Sequence, residues 1–106
     1  MSYLAKFKGQ FEYPDAEAVE KALKMIDDED ENPDPSETNA LGRDDFEVDT
    51  KKSTLTVDFS NFIRASSWYG CQRVLCKMSG DATGGAVKCS FEGDPDEWVR
   101  AGRGYT

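Results

Sequence analysis

Histidine is absent from this chain of 106 residues. That removes the side chain most used as a general base at neutral pH, a principal zinc ligand, and the partner on which Ser-His and Cys-His nucleophiles depend. No apolar run approaches the roughly 18 residues of a membrane-spanning helix. The opening Met1-Ser2-Tyr3-Leu4-Ala5-Lys6 also lacks the positive-then-apolar order of a secretory leader. Cysteine is scarce and odd in number, with Cys71, Cys76 and Cys89 alone, whereas a secreted disulfide framework uses an even set. The expectation is a cytoplasmic protein with reduced thiols, two of them small core residues.

What is present in excess is negative charge, and it is concentrated. The net charge is −8, yet residues 27–49 hold eleven acids against Arg43 alone, a local −10 that leaves +2 for the rest. A localised block of this kind sets up a directional field, unlike an evenly acidic surface.

Hydrophobic periodicity orders the chain. Residues 3–13 alternate, with Tyr3, Ala5, Phe7, Phe11 and Tyr13 on one face and Lys6, Lys8, Gln10 and Glu12 on the other, the mark of a half-buried strand. Gly9 in its middle signals a bulge or a close approach. Pro14-Asp15 opens a helix whose stripe is Val19, Ala22, Leu23 and Ile26. The acids from Asp27 onward, with Pro33 and Pro35, predict an end to that helix and a mobile, solvated loop over residues 27–43. Phe46 and Val48, then Leu55, Val57 and Phe59, alternate as a β-hairpin around Thr50–Ser53, with parity failing at Phe62-Ile63. Ser66 or Ser67 is placed to cap a second helix carrying Trp68, Cys71, Val74, Leu75 and Met78. Val87, Cys89 and Phe91 make a last strand, and Asp94-Pro95-Asp96-Glu97 has the capping pattern of a short helix. Gly102–Tyr105 reads as a frayed tail.

The resulting β-α-β-β-α-β order resembles the ferredoxin-like sandwich. The resemblance is architectural, covers residues 3–92 and carries no family motif. It implies one α+β domain over residues 1–106, with a four-stranded antiparallel sheet, two helices on one face, an acidic loop at 27–43 and an extension at 93–106 that is a short helix or tail.

That architecture sorts the side chains. Phe7, Phe11, Phe46, Val48, Leu55, Val57, Phe59, Val87 and Phe91 should face the helices. The outer face then has no aromatic on which a base could stack, and its surroundings are negative, which argues against direct nucleic-acid binding. The loop after the first strand has no Cys-x-x-Cys for copper. It reads Tyr13-Pro14-Asp15-Ala16 where an acylphosphatase-like anion loop needs glycines and an arginine. Residues 27–37 lack the ligand spacing and turn glycine of a calcium loop. Gly80–Gly85 runs from helix to strand, the reverse of a phosphate cradle. No cofactor or metal is expected.

Two functional expectations follow. The first is a non-enzymatic regulatory, inhibitor or immunity-like module that docks a protein with a basic surface. Its docking face is residues 27–49, chiefly Asp27, Asp28, Glu29, Asp30, Glu31, Asp34, Glu37, Asp45 and Glu47. Trp98 is either an interface anchor or a cover for an open core edge. The second is a small enzyme or ligand binder in a groove between the sheet and the second helix, using Cys76, Tyr69, Arg73 and Asp58.

Overall fold

The computed structural model describes residues 2–32 and 35–102. Pro33, Asp34 and the tail from Arg103 to Thr106, with Tyr105, lie outside the described residues. The elements are β1 (Tyr3–Glu12), α1 (Ala16–Glu31), a 3-10 turn at Arg43–Asp45, β2 (Phe46–Asp49), β3 (Thr54–Ile63), α2 (Ala65–Ser79), β4 (Gly84–Phe91) and β5 (Glu97–Arg100). The fold is α+β. Among the described residues it has two α-helices and one antiparallel sheet of five strands, in the order β2-β3-β1-β4-β5.

The fifth strand corrects the expectation of four strands followed by a short helix or tail. A turn bonded from the Asp94 N–H to the Phe91 carbonyl sends the chain back along β4, and Val99 pairs with Val87 and is buried. Residues 94–97 have a good helix start, but pairing with β4 and burial of Val99 outweigh that local preference.

Alternation sets the inner face. Ala5, Phe7 and Phe11 of β1, Leu55, Val57 and Phe59 of β3, and Val87 and Cys89 of β4 are buried in one cluster. That cluster also holds Val19, Leu23 and Ile26 of α1 and Trp68, Val74 and Met78 of α2. Trp68 stacks on Phe7 at 5.2 Å and meets Phe91 at 4.7 Å, so its role is packing. The buried Tyr13 hydroxyl donates to the Met78 carbonyl at 2.8 Å, tying the end of β1 to α2. Val48 departs from the expected core and stands exposed on edge strand β2.

Two further corrections concern alternation and capping. The parity of β3 does not fail. Ile63 is buried in step with Phe59, and Phe62 points outward with 63% of its surface exposed. Helix α2 is capped by Arg64, without a side-chain cap bond, and not by Ser66 or Ser67.

The acidic segment differs most from expectation. Asp15 caps α1 as predicted, its carboxylate accepting from the Ala18 N–H at 2.8 Å. The helix then continues through Asp27, Asp28, Glu29, Asp30 and Glu31 instead of ending before them. Glu29 continues the buried stripe one turn beyond Ile26 because α2 supplies Arg73 and Lys77 to neutralise it. The chain after the helix is not simply solvated either. Leu41 is buried, and the Asn39 side chain bonds the Leu41 carbonyl and N–H at 2.7 and 2.9 Å. Residues 37–38 lie directly on Gly70 of α2, where a Cβ would come within 2.6 Å of the Glu37 and Thr38 backbone.

Candidate functional site

The acids of residues 27–49 separate into two groups. In one group each carboxylate is occupied. Glu29, whose side chain is 8% exposed, lies 2.7 Å from Arg73 Nη2 and 3.3 Å from Lys77 Nζ. Glu37 reaches Arg73 Nη1 at 3.7 Å, and its backbone carbonyl accepts from the same guanidinium at 3.1 Å. Asp27 is bridged by Arg43 at 3.0 Å, and Arg43 also reaches Glu20 at 3.5 Å. Asp45 accepts the Gly42 N–H at 2.8 Å, and Asp49 braces the hairpin turn by accepting from the backbone N–H groups of Lys51 and Lys52. These acids hold the structure together.

The second group is Asp28, Asp30 and Glu31 on the last turns of α1, with Asp44 and Glu47 at the entry to β2. All are exposed, and among the described residues none is in an ion pair. The Arg43–Asp27 bridge fastens the 3-10 turn that contains Asp44 to α1, whereas Glu47 stands opposite Thr56 on the outer sheet face. The helix end adds to their field, because the last turn of α1 contains no basic residue and its carbonyls carry the negative end of the dipole. Of the expected docking residues, then, the structure leaves Asp28, Asp30, Glu31 and Glu47 open and engages Asp27, Glu29, Glu37 and Asp45. Asp34 falls outside the described residues.

Trp98 does not join this surface. It is on β5, opposite Lys88, with 52% of its surface exposed, so it does not cover a core edge. Arg100 stands 5.7 Å over its ring. The outer sheet face is therefore not free of aromatics, because Phe62 and Trp98 are both on it. The stacking part of the case against nucleic acid loses its premise. Between β1 and β4 this face forms a shallow groove of about 440 Å³ with Lys6, Lys8, Lys88 and Ser90 along it. Hydrogen bonds from Ser90 and Lys88 hold the Asp96 carboxyl below its ordinary pKa. Neither placement is legible locally: pairing with β4 sets Trp98 and Arg100, and pairing with Leu4 sets Phe62.

The residues of the enzymatic reading do not converge. Tyr69, Arg73 and Cys76 share a flank of α2, but Arg73 is held by Glu29 and Glu37. Asp58 is on the outer side of β3, 3.9 Å from Lys8. Tyr69 is 57% exposed and Cys76 is partly buried against the core. The other two thiols are inert packing groups: burial pushes Cys71 up to about 11 and Cys89 to about 12. Among the described residues no three His, Cys, Asp or Glu side chains come together as a metal site, and no helix is long and apolar enough to cross a membrane. Comparison with protein-family models, with curated proteins and with solved structures finds no match to this chain.

Proposed function

We propose that this chain is a non-enzymatic interaction module that docks a protein with a basic surface on the end of α1, at Asp28, Asp30 and Glu31, with Asp44 of the neighbouring 3-10 turn. One observation carries the reading. Asp28, Asp30 and Glu31, exposed and among the described residues without ion-pair partners, are collected at the C-terminal end of a helix, where the dipole makes each of them unfavourable. A sequence shaped by stability alone would place lysine there. Such a patch steers a cationic partner and is screened by salt. The same negative field favours a protein partner over nucleic acid. Three unbridged cysteines accord with a reducing, cytoplasmic setting. The finer fold reading is a ferredoxin-like βαββαβ core with β5 added beyond β4 and both helices on one face. It is supported by the strand order β2-β3-β1-β4 and by the single buried cluster shared by α1, α2 and alternate strand residues.

The test is capture of the partner from native lysate, at low and at moderate salt, by the wild-type chain and by Asp28→Asn/Asp30→Asn/Glu31→Gln. The expected result is weaker capture and a flatter salt dependence for the variant, with its melting temperature unchanged or slightly raised. Equal capture by both chains, or a partner whose retention ignores salt, refutes the reading.

A further inference from the structure

We propose that the free edge of β5 pairs with β5 of a second copy of this chain, antiparallel about Val99, so that Trp98 of each copy lies opposite Arg100 of the other. The inference is independent of the acidic docking surface.

The hydrogen-bond phase of the sheet comes first. Ala101 N–H donates to the Gly85 carbonyl at 3.1 Å, and β5 pairs in register Val99 to Val87 and Glu97 to Cys89. In an antiparallel ladder bonded pairs alternate with unbonded ones. Glu97, Val99 and Ala101 therefore spend their main-chain groups on β4, and those of Trp98 and Arg100 point away from it. Among the described residues β5 ends the sheet. Its outward N–H and C=O groups are thus a template for one more strand.

The side chains then select the occupant. Trp98 and Arg100 are two residues apart and share the outer face, with Val99 turned inward between them. A two-fold axis through Val99 sets Trp98 against Arg100 of the second copy twice over, with four main-chain hydrogen bonds between them. Arg100 already stands over the Trp98 ring of its own chain, so two such pairs interleave cations and rings. The same operation at the other edge fails. Pairing β2 with itself about Val48 puts Glu47 opposite Asp49, carboxylate against carboxylate, twice. Of the two open edges, only β5 is complementary to itself. The sheet is five strands wide, so the edges are about 19 Å apart. Joining the β5 edges therefore leaves the β2 edges and their acids at the far ends of the pair.

The experiment is sedimentation equilibrium of the full chain from about 10 µM to 1 mM, the range expected for a small interface of four main-chain bonds and two Trp–Arg contacts. The wild-type mass should rise toward twice the monomer, and raising salt to about 0.5 M should leave this nearly unchanged, because the contacts are close-range. Arg100→Pro deletes an N–H that only the second copy uses and leaves the β4 ladder intact, so it should remove the association. Trp98→Lys, a surface change that sets lysine against Arg100, should weaken it by about tenfold or more while the melting temperature holds. Three results each overturn the proposal: a wild-type chain monomeric across the range, an association abolished by salt, or one that both variants retain.

Discussion

The buried charge cluster between the helices should behave as a coupled unit, and a double-mutant cycle on Glu29 and Arg73 measures it. Their contact is 2.7 Å, with side chains 8% and 12% exposed. Removing one member of a buried pair costs about 3–5 kcal/mol when the other charge is left without a partner. Here each has a fallback. In Glu29→Gln, Arg73 keeps the Glu37 carbonyl at 3.1 Å and the Glu37 carboxylate at 3.7 Å, so the expected cost drops to about 2–3 kcal/mol. In Arg73→Met, Glu29 keeps Lys77 at 3.3 Å, but the Glu37 carbonyl also loses its donor, and about 3 kcal/mol is expected. The double variant removes both buried members of the cluster, and the charges that remain, Lys77 and Glu37, are partly exposed to solvent. It should be destabilised by about 3 kcal/mol, well short of the sum of the singles, a coupling of about 2 kcal/mol. Urea unfolding with unchanged m-values gives all four stabilities. Single variants within about 0.5 kcal/mol of wild type, or strictly additive changes, would refute the assignment of Glu29 to the structure and return it to the free acidic surface.

Two other outcomes are expected. Gly9→Ala should cost about 3 kcal/mol or more, read by thermal and urea unfolding, because a Cβ there would sit inside the Ala86 carbonyl oxygen and 2.6 Å from Val87 Cα in the adjacent strand. Alkaline stability should be limited by the buried thiols. Burial raises Cys71 from 9 to about 11 and Cys89 from 9 to about 12. The unfolded chain therefore ionises first, and stability that is complete below pH 9 is lost above it. Two such thiols predict a fall of about 2 kcal/mol between about pH 9 and pH 10, largely absent in Cys71→Ala/Cys89→Ala, whose lower starting stability should change less with pH.

Where hydrophobic period alone decides structure, the chain was readable. The faces of β1, the first three turns of α1, the hairpin strands and the buried stripe of α2 follow from alternation or helical spacing in single segments. The misreadings have a common physical origin in contacts distant along the chain. The far end of α1 looks like a tether because five acids in succession repel. Glu29 is nevertheless buried, since Arg73 reaches it from 44 residues away. Residues 94–97 carry a genuine helix start, yet the chain turns through Asp94–Asp96 and from Glu97 onward pairs with β4. Phe62 followed by Ile63 resembles the end of a strand when read locally, yet pairing of Phe62 with Leu4 and of Ile63 with Tyr3 carries alternation to the last residue. The acidic surface was legible as composition. Its division into structural and free carboxylates was not, because that depends on which basic side chains of α2 and the 3-10 turn arrive beside them.

That division bears on why the free acids persist. Neutralising Glu29 and Glu37 through Arg73, and Asp27 through Arg43, uses two arginines to fix the route from α1 to β2. Among the described residues nothing comparable is provided for Asp28, Asp30 and Glu31, which sit one or two residues from those pairs on a helix end that opposes their charge. Adjacent like charges and an adverse dipole together cost a few tenths of a kcal/mol per residue, removable by single changes to lysine or glutamine. The arginines show that this segment accommodates cations where structure needs them, so the uncompensated positions are not explained by any difficulty of placing a base nearby. At the sheet edge Glu47, which is free, and Asp49, which braces the hairpin turn, would face each other across a β2–β2 pair, whereas a β5–β5 pair sets Trp98 against Arg100. If the proposed docking and pairing hold, the charge of this chain divides the two roles: free acids on the α1 end for a cation-bearing partner, and an edge at β5 without facing carboxylates for a second copy.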